Sequence, residues 1–103
     1  MAVYWTRTAE VAWGKDAEAL EWAIRVMKHL NDTFPAWPGQ VLTNVTGNLG
    51  EIHWVIKYES LAEMEEVSAK MQADEKFQEI VKEMVDAGLL MSGATDRLYR
   101  VHL

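Results

Sequence analysis

The sequence has 103 residues, of which half are hydrophobic and a quarter are charged, with a formal net charge of −6 and no cysteine. This length and balance are typical of one globular domain with its own hydrophobic core, and they argue against disorder. The lack of cysteine excludes disulfide bonds, thiolate nucleophiles and cysteine-based metal sites. The acidic charge and the scattered basic residues argue against nucleic-acid binding, which depends on clustered lysine and arginine.

The chain begins with a predicted strand and helix. From Val3 to Ala12, β-branched and aromatic residues alternate with a period of two, which predicts a strand. Gly14 breaks this pattern, and Asp16 is expected to cap a helix that runs to about Asn31. An apolar stripe at helical spacing supports this helix; it consists of Leu20, Ala23, Ile24, Met27 and Leu30.

Two further strands follow a proline-containing loop. Alternation predicts strands at Gln40–Thr46 and Glu51–Tyr58, the second being the clearest of the chain. Gly47–Gly50 joins them as a hairpin connection, because glycine and asparagine tolerate positive φ.

The second half of the chain predicts a divided helical region and a last strand. Ser60 and Glu63 form a capping box at the start of the helix, and Asp74 is able to restart a second helical segment. Gly88 or Gly93 is expected to end the helical region. Alternation then predicts the last strand at Arg97–Leu103.

The predicted fold class is α+β, with the ferredoxin-like βαββαβ order, a four-stranded antiparallel sheet and both helices on one face. The other face has no helix to cover it, and it is expected to carry Tyr4, Val55 and Leu98. Such an exposed apolar patch is best covered by the same face of a second copy, so we expect a homodimer. Residues 1–103 are predicted to form a single domain without a signal peptide or a membrane-spanning segment, and the cytoplasm is the expected location.

The run Gly50–Glu65 resembles the third strand and second helix of NIPSNAP-like proteins of the dimeric α/β-barrel superfamily. Pro38-Gly39 before the second strand and the acidic break at Asp74–Phe77 add to the resemblance. It implies a homodimer with a sheet–sheet interface and a pocket in each protomer between sheet and helices. The superfamily includes antibiotic-biosynthesis and other cofactor-independent monooxygenases of aromatic substrates, and also haem-degrading enzymes. The haem-degrading pattern requires a histidine on the second helix, and this chain has none between Ser60 and Leu90.

Aromatic residues and methionines on the predicted helix-facing side could line such a pocket, with Tyr99 placed on the same side. The predicted ligand-binding residues are Trp5, Arg7, Trp22, Met27, Trp54, Tyr58 and Met64. The alternative is a packed core that leaves no cavity. Arg7 and Arg97 share one strand parity in this prediction, so they need either an internal partner, Glu59 or Asp96, or an anionic substrate.

The candidate catalytic residues are His53, Arg97 and Tyr99, which could orient or deprotonate a substrate. The face of the strand on which His53 lies favours a position in a dimer interface over a catalytic one, and His29 is expected near a helix end, where the helix dipole favours a protonated histidine. No metal, cofactor or nucleic-acid partner is expected. The sequence therefore favours a dimeric small-molecule-binding protein with a pocket for an apolar or aromatic molecule. The family resemblance extends this to a cofactor-independent monooxygenase or isomerase as one form of that function, without deciding whether the protein is an enzyme. The alternative is a non-catalytic dimerisation or structural module.

Overall fold

The computed structural model describes the whole chain, residues 1–103, apart from the side chain of Ser92. The elements in chain order are β1 (Val3–Val11), α1 (Asp16–Thr33), β2 (Gly39–Thr43), β3 (Glu51–Tyr58), α2 (Leu61–Ala73), α3 (Glu75–Ala87) and β4 (Leu90–Arg100). The predicted βαββαβ order is confirmed, with the second helix divided at Asp74. No helix in the described part of the chain is long and apolar enough to cross a membrane.

The four strands form one antiparallel sheet in the order β2-β3-β1-β4. Directly opposite residues in an antiparallel pair point to the same face. Arg7 in β1 lies opposite Trp54 in β3 and opposite Asp96 in β4, so these three side chains share one face. Thr8, opposite His53, belongs to the other face.

The core lies between one sheet face and the helices. In β3 every second residue is buried, namely Ile52, Trp54, Ile56 and Tyr58, as the predicted alternation requires. The buried stripe of α1 packs above them; it consists of Ala19, Trp22, Ala23, Val26, Met27 and Leu30. On the opposite face of the sheet, which we call the open sheet face, no helix packs in the described part of the chain.

Side-chain caps position α2 and α3. The Ser60 hydroxyl accepts a hydrogen bond from the Glu63 N–H at 3.1 Å, and Asp74 accepts one from the Phe77 N–H at 2.9 Å. The predicted cap at Asp16 is wrong. Lys15 takes the N-cap position without a side-chain hydrogen bond, and Asp16 is the first helical residue. The negative charge of Asp16 still interacts favourably with the positive end of the helix dipole.

The last strand differs most from its prediction, because it begins at Leu90 rather than Arg97 and ends at Arg100. Gly88, at φ +61°, ends α3, whereas Gly93, at φ +90°, lies inside β4. The β1–β4 register shifts at that point, since Ala9 lies opposite Ala94 but Val11 lies opposite Leu90. Such a bulge interrupts the alternation by which a strand is recognised in sequence. The second strand is also shorter than predicted, because it ends at Thr43.

The two faces of β4 are the reverse of those predicted. Leu98 lies opposite Trp5 and so faces the helices, while Arg97 lies opposite Thr6 and Tyr99 opposite Tyr4, on the open sheet face. Each of the two alternating sets of residues in this strand contains both apolar and charged side chains. Alternation alone therefore could not decide which of the two sets faces the helices. Pairing with β1 decides it.

Candidate functional site

A cavity of about 540 Å³ lies between the helix-facing side of the sheet and the helices. We call it the sheet–helix cavity. All seven predicted ligand-binding residues line it, namely Trp5, Arg7, Trp22, Met27, Trp54, Tyr58 and Met64. The alternative prediction, a packed core without a cavity, does not describe this structure.

The sequence analysis missed part of the lining. Met71, Phe77 and Met84 come from α2 and α3, and the helical spacing of these apolar residues could have included them. Asp96 and Leu98 come from β4. Asp96 was missed because the bulge hid the start of that strand and put this residue outside the predicted element, and Leu98 was missed because it was predicted to lie on the other face.

Trp22 and Trp54 form a fixed wall of the cavity. Their rings meet edge to face, with centroids 5.8 Å apart and planes at 82°. The Trp22 Nε1–H donates to the Ile80 carbonyl at 2.7 Å, and the Trp54 Nε1–H donates to the Ala23 carbonyl at 3.4 Å. Both indole donors are therefore bound to protein backbone, and the two residues offer a ligand their apolar ring surfaces.

Four of the six methionines line the cavity, namely Met27, Met64, Met71 and Met84. The unbranched thioether side chain adapts to irregular shapes and makes favourable contacts with aromatic rings. Together with the tryptophans, these residues form a lining suited to a flat apolar molecule.

Met27 can occupy this position because residue 39 is a glycine. A Cβ atom on Gly39 would lie 2.3 Å from the Met27 sulfur and 2.9 Å from Ile56 Cγ1. Asn31 holds Gly39 in place, since its Oδ1 accepts from the Gly39 N–H at 2.7 Å and its Nδ2 donates to the Gly39 carbonyl at 3.1 Å. The end of α1 is thereby joined to the start of β2.

Arg7 and Asp96 form a two-point ion pair in the cavity lining. Arg7 Nε donates to Asp96 Oδ1 at 2.7 Å and Nη2 donates to Oδ2 at 2.9 Å. The guanidinium carbon also lies 5.3 Å from the centroid of the Trp5 ring. Hydrogen bonding to Arg7 lowers the pKa of Asp96, and the same contact raises the pKa of Arg7, so both groups are charged at neutral pH. Asp96, and not Glu59, is therefore the internal partner of Arg7.

Uncharged polar groups complete the lining. Tyr58 is buried at the end of β3, and burial, followed by the nearby Glu63 charge, raises the pKa of its hydroxyl. The hydroxyl is therefore protonated at neutral pH. Ser68 and Gln72 on α2 are the other polar residues of the described lining.

The three candidate catalytic residues lie on the open sheet face, across the sheet from the cavity. His53 is held by polar neighbours there, because its Nδ1 lies 2.7 Å from the Thr8 hydroxyl and its Nε2 contacts Asn44 Oδ1. Asn44 in turn donates to Glu51 at 2.9 Å. The prediction that grouped Arg97 and Tyr99 with the pocket residues is wrong, for the pairing reason given above. The structure therefore does not bring these candidates together with the predicted ligand-binding residues.

His29 joins α1 to the break between α2 and α3. Its Nε2 lies 2.6 Å from Asp74 Oδ2, the oxygen that also accepts the Phe77 N–H. The hydrogen bond with His29, followed by that from Phe77, lowers the pKa of Asp74. Met71 and Phe77 line the cavity on either side of this break, so the contact positions two parts of the cavity wall.

No protein-family profile and no curated protein matches the chain. Solved structures do resemble it. A NIPSNAP domain protein from Burkholderia xenovorans has 16% sequence identity and a TM-score of 0.79, over 99% of this chain and 95% of that one. A NIPSNAP family protein from Agrobacterium tumefaciens has 16% identity and a TM-score of 0.77, over 98% and 86% of the two chains.

A third similar structure is SnoaB, a cofactor-independent oxygenase from Streptomyces nogalater, with 12% identity and a TM-score of 0.69, over 99% of this chain and 94% of that one. At these identities the similarity establishes the fold, which is shared by NIPSNAP proteins and this oxygenase. The fold resemblance predicted from the sequence is thereby confirmed.

Proposed function

We propose that this protein binds a small apolar or aromatic molecule in the sheet–helix cavity. The observation that carries the proposal is the cavity of about 540 Å³ lined by Trp5, Trp22, Trp54 and four methionines. Ligand pockets are typically of about 300–1,000 Å³, mostly apolar, with a few polar groups that orient the ligand. Arg7, Asp96 and Tyr58 are the groups that would do so here.

The test is a titration with the uncharged fluorescent probe N-phenyl-1-naphthylamine, whose emission rises in apolar surroundings. We expect one probe per chain in the wild type. Ser68→Trp puts a large ring into the cavity, so the affinity should fall by about tenfold or more, because the probe loses most of its apolar contact area. Ala69→Trp on the same helix is the matched control, since Ala69 is exposed and does not line the cavity. Equal affinities of the two variants would overturn the proposal.

Turnover as a cofactor-independent oxygenase is the narrower form of this proposal. It is supported by the fold shared with SnoaB and by an apolar cavity able to hold an aromatic substrate. Because His53, Arg97 and Tyr99 lie on the other face, a chemical step in the cavity would use Arg7, Asp96 or Tyr58 instead. An oxygen electrode with phenolic naphthalenes tests it. Turnover is supported if wild type takes up oxygen faster than the uncatalysed reaction and Ser68→Trp abolishes this excess. An excess rate that is the same in Ser68→Trp would contradict it.

We further propose that the working form is a homodimer paired through the open sheet face. That face carries exposed aromatic and apolar side chains, with Tyr4 at 39%, Leu42 at 46% and Tyr99 at 51% exposure. Val55 lies opposite Thr6 at its centre. Covering this surface with the same surface of a second copy removes apolar area from water and needs only one two-fold axis.

A further inference from the structure

We infer that the ligand of the sheet–helix cavity is an uncharged molecule, and that Asp96 is the specificity-determining residue that excludes anionic ligands. This inference rests on the proposed binding function and names its substrate class. The class is an aromatic or apolar body that carries an amide, hydroxyl or carbonyl group rather than a carboxylate or sulfonate.

The first argument is the charge of the lining. Among the lining side chains that the structure describes, only Arg7 and Asp96 are charged, and their charges cancel. A ligand that brings a charge into the cavity would find no unpaired opposite charge among these side chains. The Arg7 and Asp96 side chains are 41% and 43% exposed, so water screens part of a ligand charge that lies beside them. A ligand charge that lies against the apolar walls still loses water without gaining a partner, whereas an uncharged polar group needs only a hydrogen bond.

The second argument is the geometry of the ion pair. The planar guanidinium fork of arginine matches a carboxylate in two parallel hydrogen bonds. Asp96 already fills that position on Arg7, with contacts of 2.7 and 2.9 Å. A ligand carboxylate would have to displace Asp96 and then lie beside its displaced charge. Asp96 thus acts as an internal competitor for every anionic ligand.

The third argument is the remaining hydrogen-bonding capacity of the lining. The indole donors of Trp22 and Trp54 are bound to backbone carbonyls. Tyr58 and Gln72 provide a hydroxyl and an amide, which are uncharged and can both donate and accept, and the Ser68 hydroxyl, which donates to the Glu65 carbonyl at 3.3 Å, can still accept. Such groups suit an uncharged ligand and supply no positive charge for an anion. The net charge of −6 acts in the same direction.

The experiment displaces N-phenyl-1-naphthylamine from the wild type with two competitors of nearly equal shape, 2-naphthamide and 2-naphthoate, at neutral pH. We expect the amide to bind about tenfold more tightly than the carboxylate, the difference typical of one charged interaction that is partly exposed to water. Asp96→Asn keeps the size of the side chain and removes its charge, so it should shift the preference toward 2-naphthoate by about the same factor. Arg7→Gln leaves the Asp96 charge without its partner, and should weaken 2-naphthoate further.

Glu83→Gln is the matched control for Asp96→Asn. It also removes one negative charge from an ion pair, since Glu83 lies 2.6 Å from Arg25, but Glu83 does not line the cavity. We expect it to leave the ratio of the two affinities unchanged.

Two results would overturn the inference. In the first, wild type binds 2-naphthoate as tightly as 2-naphthamide, which would show that ligand anions displace Asp96. In the second, Asp96→Asn and Glu83→Gln shift the ratio equally. If Asp96→Asn does not fold, the inference is tested by the ratio of the affinities for 2-naphthamide and 2-naphthoate in wild type and in Arg7→Gln. Wild type that fails to bind N-phenyl-1-naphthylamine at all would instead overturn the proposed binding function.

Discussion

His29 and Asp74 join α1 to the break between α2 and α3 through a contact of 2.6 Å. The same Asp74 oxygen accepts the Phe77 N–H and so begins α3. One carboxylate therefore caps a helix and positions it against its neighbour. Because Met71 and Phe77 line the cavity on either side of Asp74, this contact supports the cavity wall.

The lowered pKa of Asp74 predicts acid sensitivity of the fold. Its pKa is lower in the folded than in the unfolded chain, so its contribution to stability is present above its ordinary unfolded value and is lost as pH falls through the folded value. Asp74→Asn keeps a residue that can cap a helix but removes the charge. Thermal unfolding followed by circular dichroism from pH 3 to 7 should show a variant that is less stable at neutral pH and loses less stability on acidification. If the stability of wild type and of Asp74→Asn changed with pH by the same amount, the acid sensitivity would not come from the Asp74 carboxylate.

Gly39 is predicted to be required for the packing of Met27. Gly39→Ala places a Cβ atom 2.3 Å from the Met27 sulfur and 2.9 Å from Ile56 Cγ1. Overpacking of this kind should lower the free energy of unfolding by about 1–3 kcal/mol, measured by urea denaturation. In a Met27→Ala background, Gly39→Ala should lower the free energy of unfolding by less, because the space that the Met27 side chain occupied is then available to the new Cβ atom. An equal cost in both backgrounds would show that Met27 is not the obstacle.

The elements that could be predicted well from the sequence are those whose patterns involve only residues close together in the chain. The alternation of Glu51–Tyr58, the Ser60 cap and the restart at Asp74 each depend on neighbouring residues, and each is present. The facing of β1 and β3 was also correct, which is why the four predicted ligand-binding residues of these strands, Trp5, Arg7, Trp54 and Tyr58, line the cavity.

The parts that sequence missed depend on long-range pairing. Gly93 looks like the end of a helix, and only hydrogen bonding to β1 shows that it lies within a bulged strand. The choice between Glu59 and Asp96 as the partner of Arg7 could not be made locally, because Asp96 becomes a neighbour only through the β1–β4 register. The same register places Arg97 and Tyr99 away from the cavity.

Trp54 is predicted to support both the fold and the binding of N-phenyl-1-naphthylamine. It is buried and packs edge to face on Trp22, so Trp54→Ala should lower the free energy of unfolding by about 3–5 kcal/mol. Probe binding should be lost with the ring surface, while the proposed homodimer should be unaffected because Trp54 does not lie on the open sheet face. The control is Trp13→Ala, since Trp13 is 100% exposed and should contribute within about 0.5 kcal/mol. Unchanged probe affinity in folded Trp54→Ala would contradict the role of this residue.

The proposed homodimer predicts that a charge at the centre of the open sheet face separates the two copies. Val55 lies in β3 between the neighbours Thr6 in β1 and Gln40 in β2, so a lysine there would be buried without a partner in the dimer. Sedimentation equilibrium should give a dimer for wild type and a dissociation constant raised at least about 100-fold for Val55→Lys. Val85→Lys makes the same substitution on α3 at a residue 64% exposed, and should remain dimeric. A wild type that sediments as a monomer, or a Val55→Lys variant as dimeric as the control, would show that the open sheet face is not the interface.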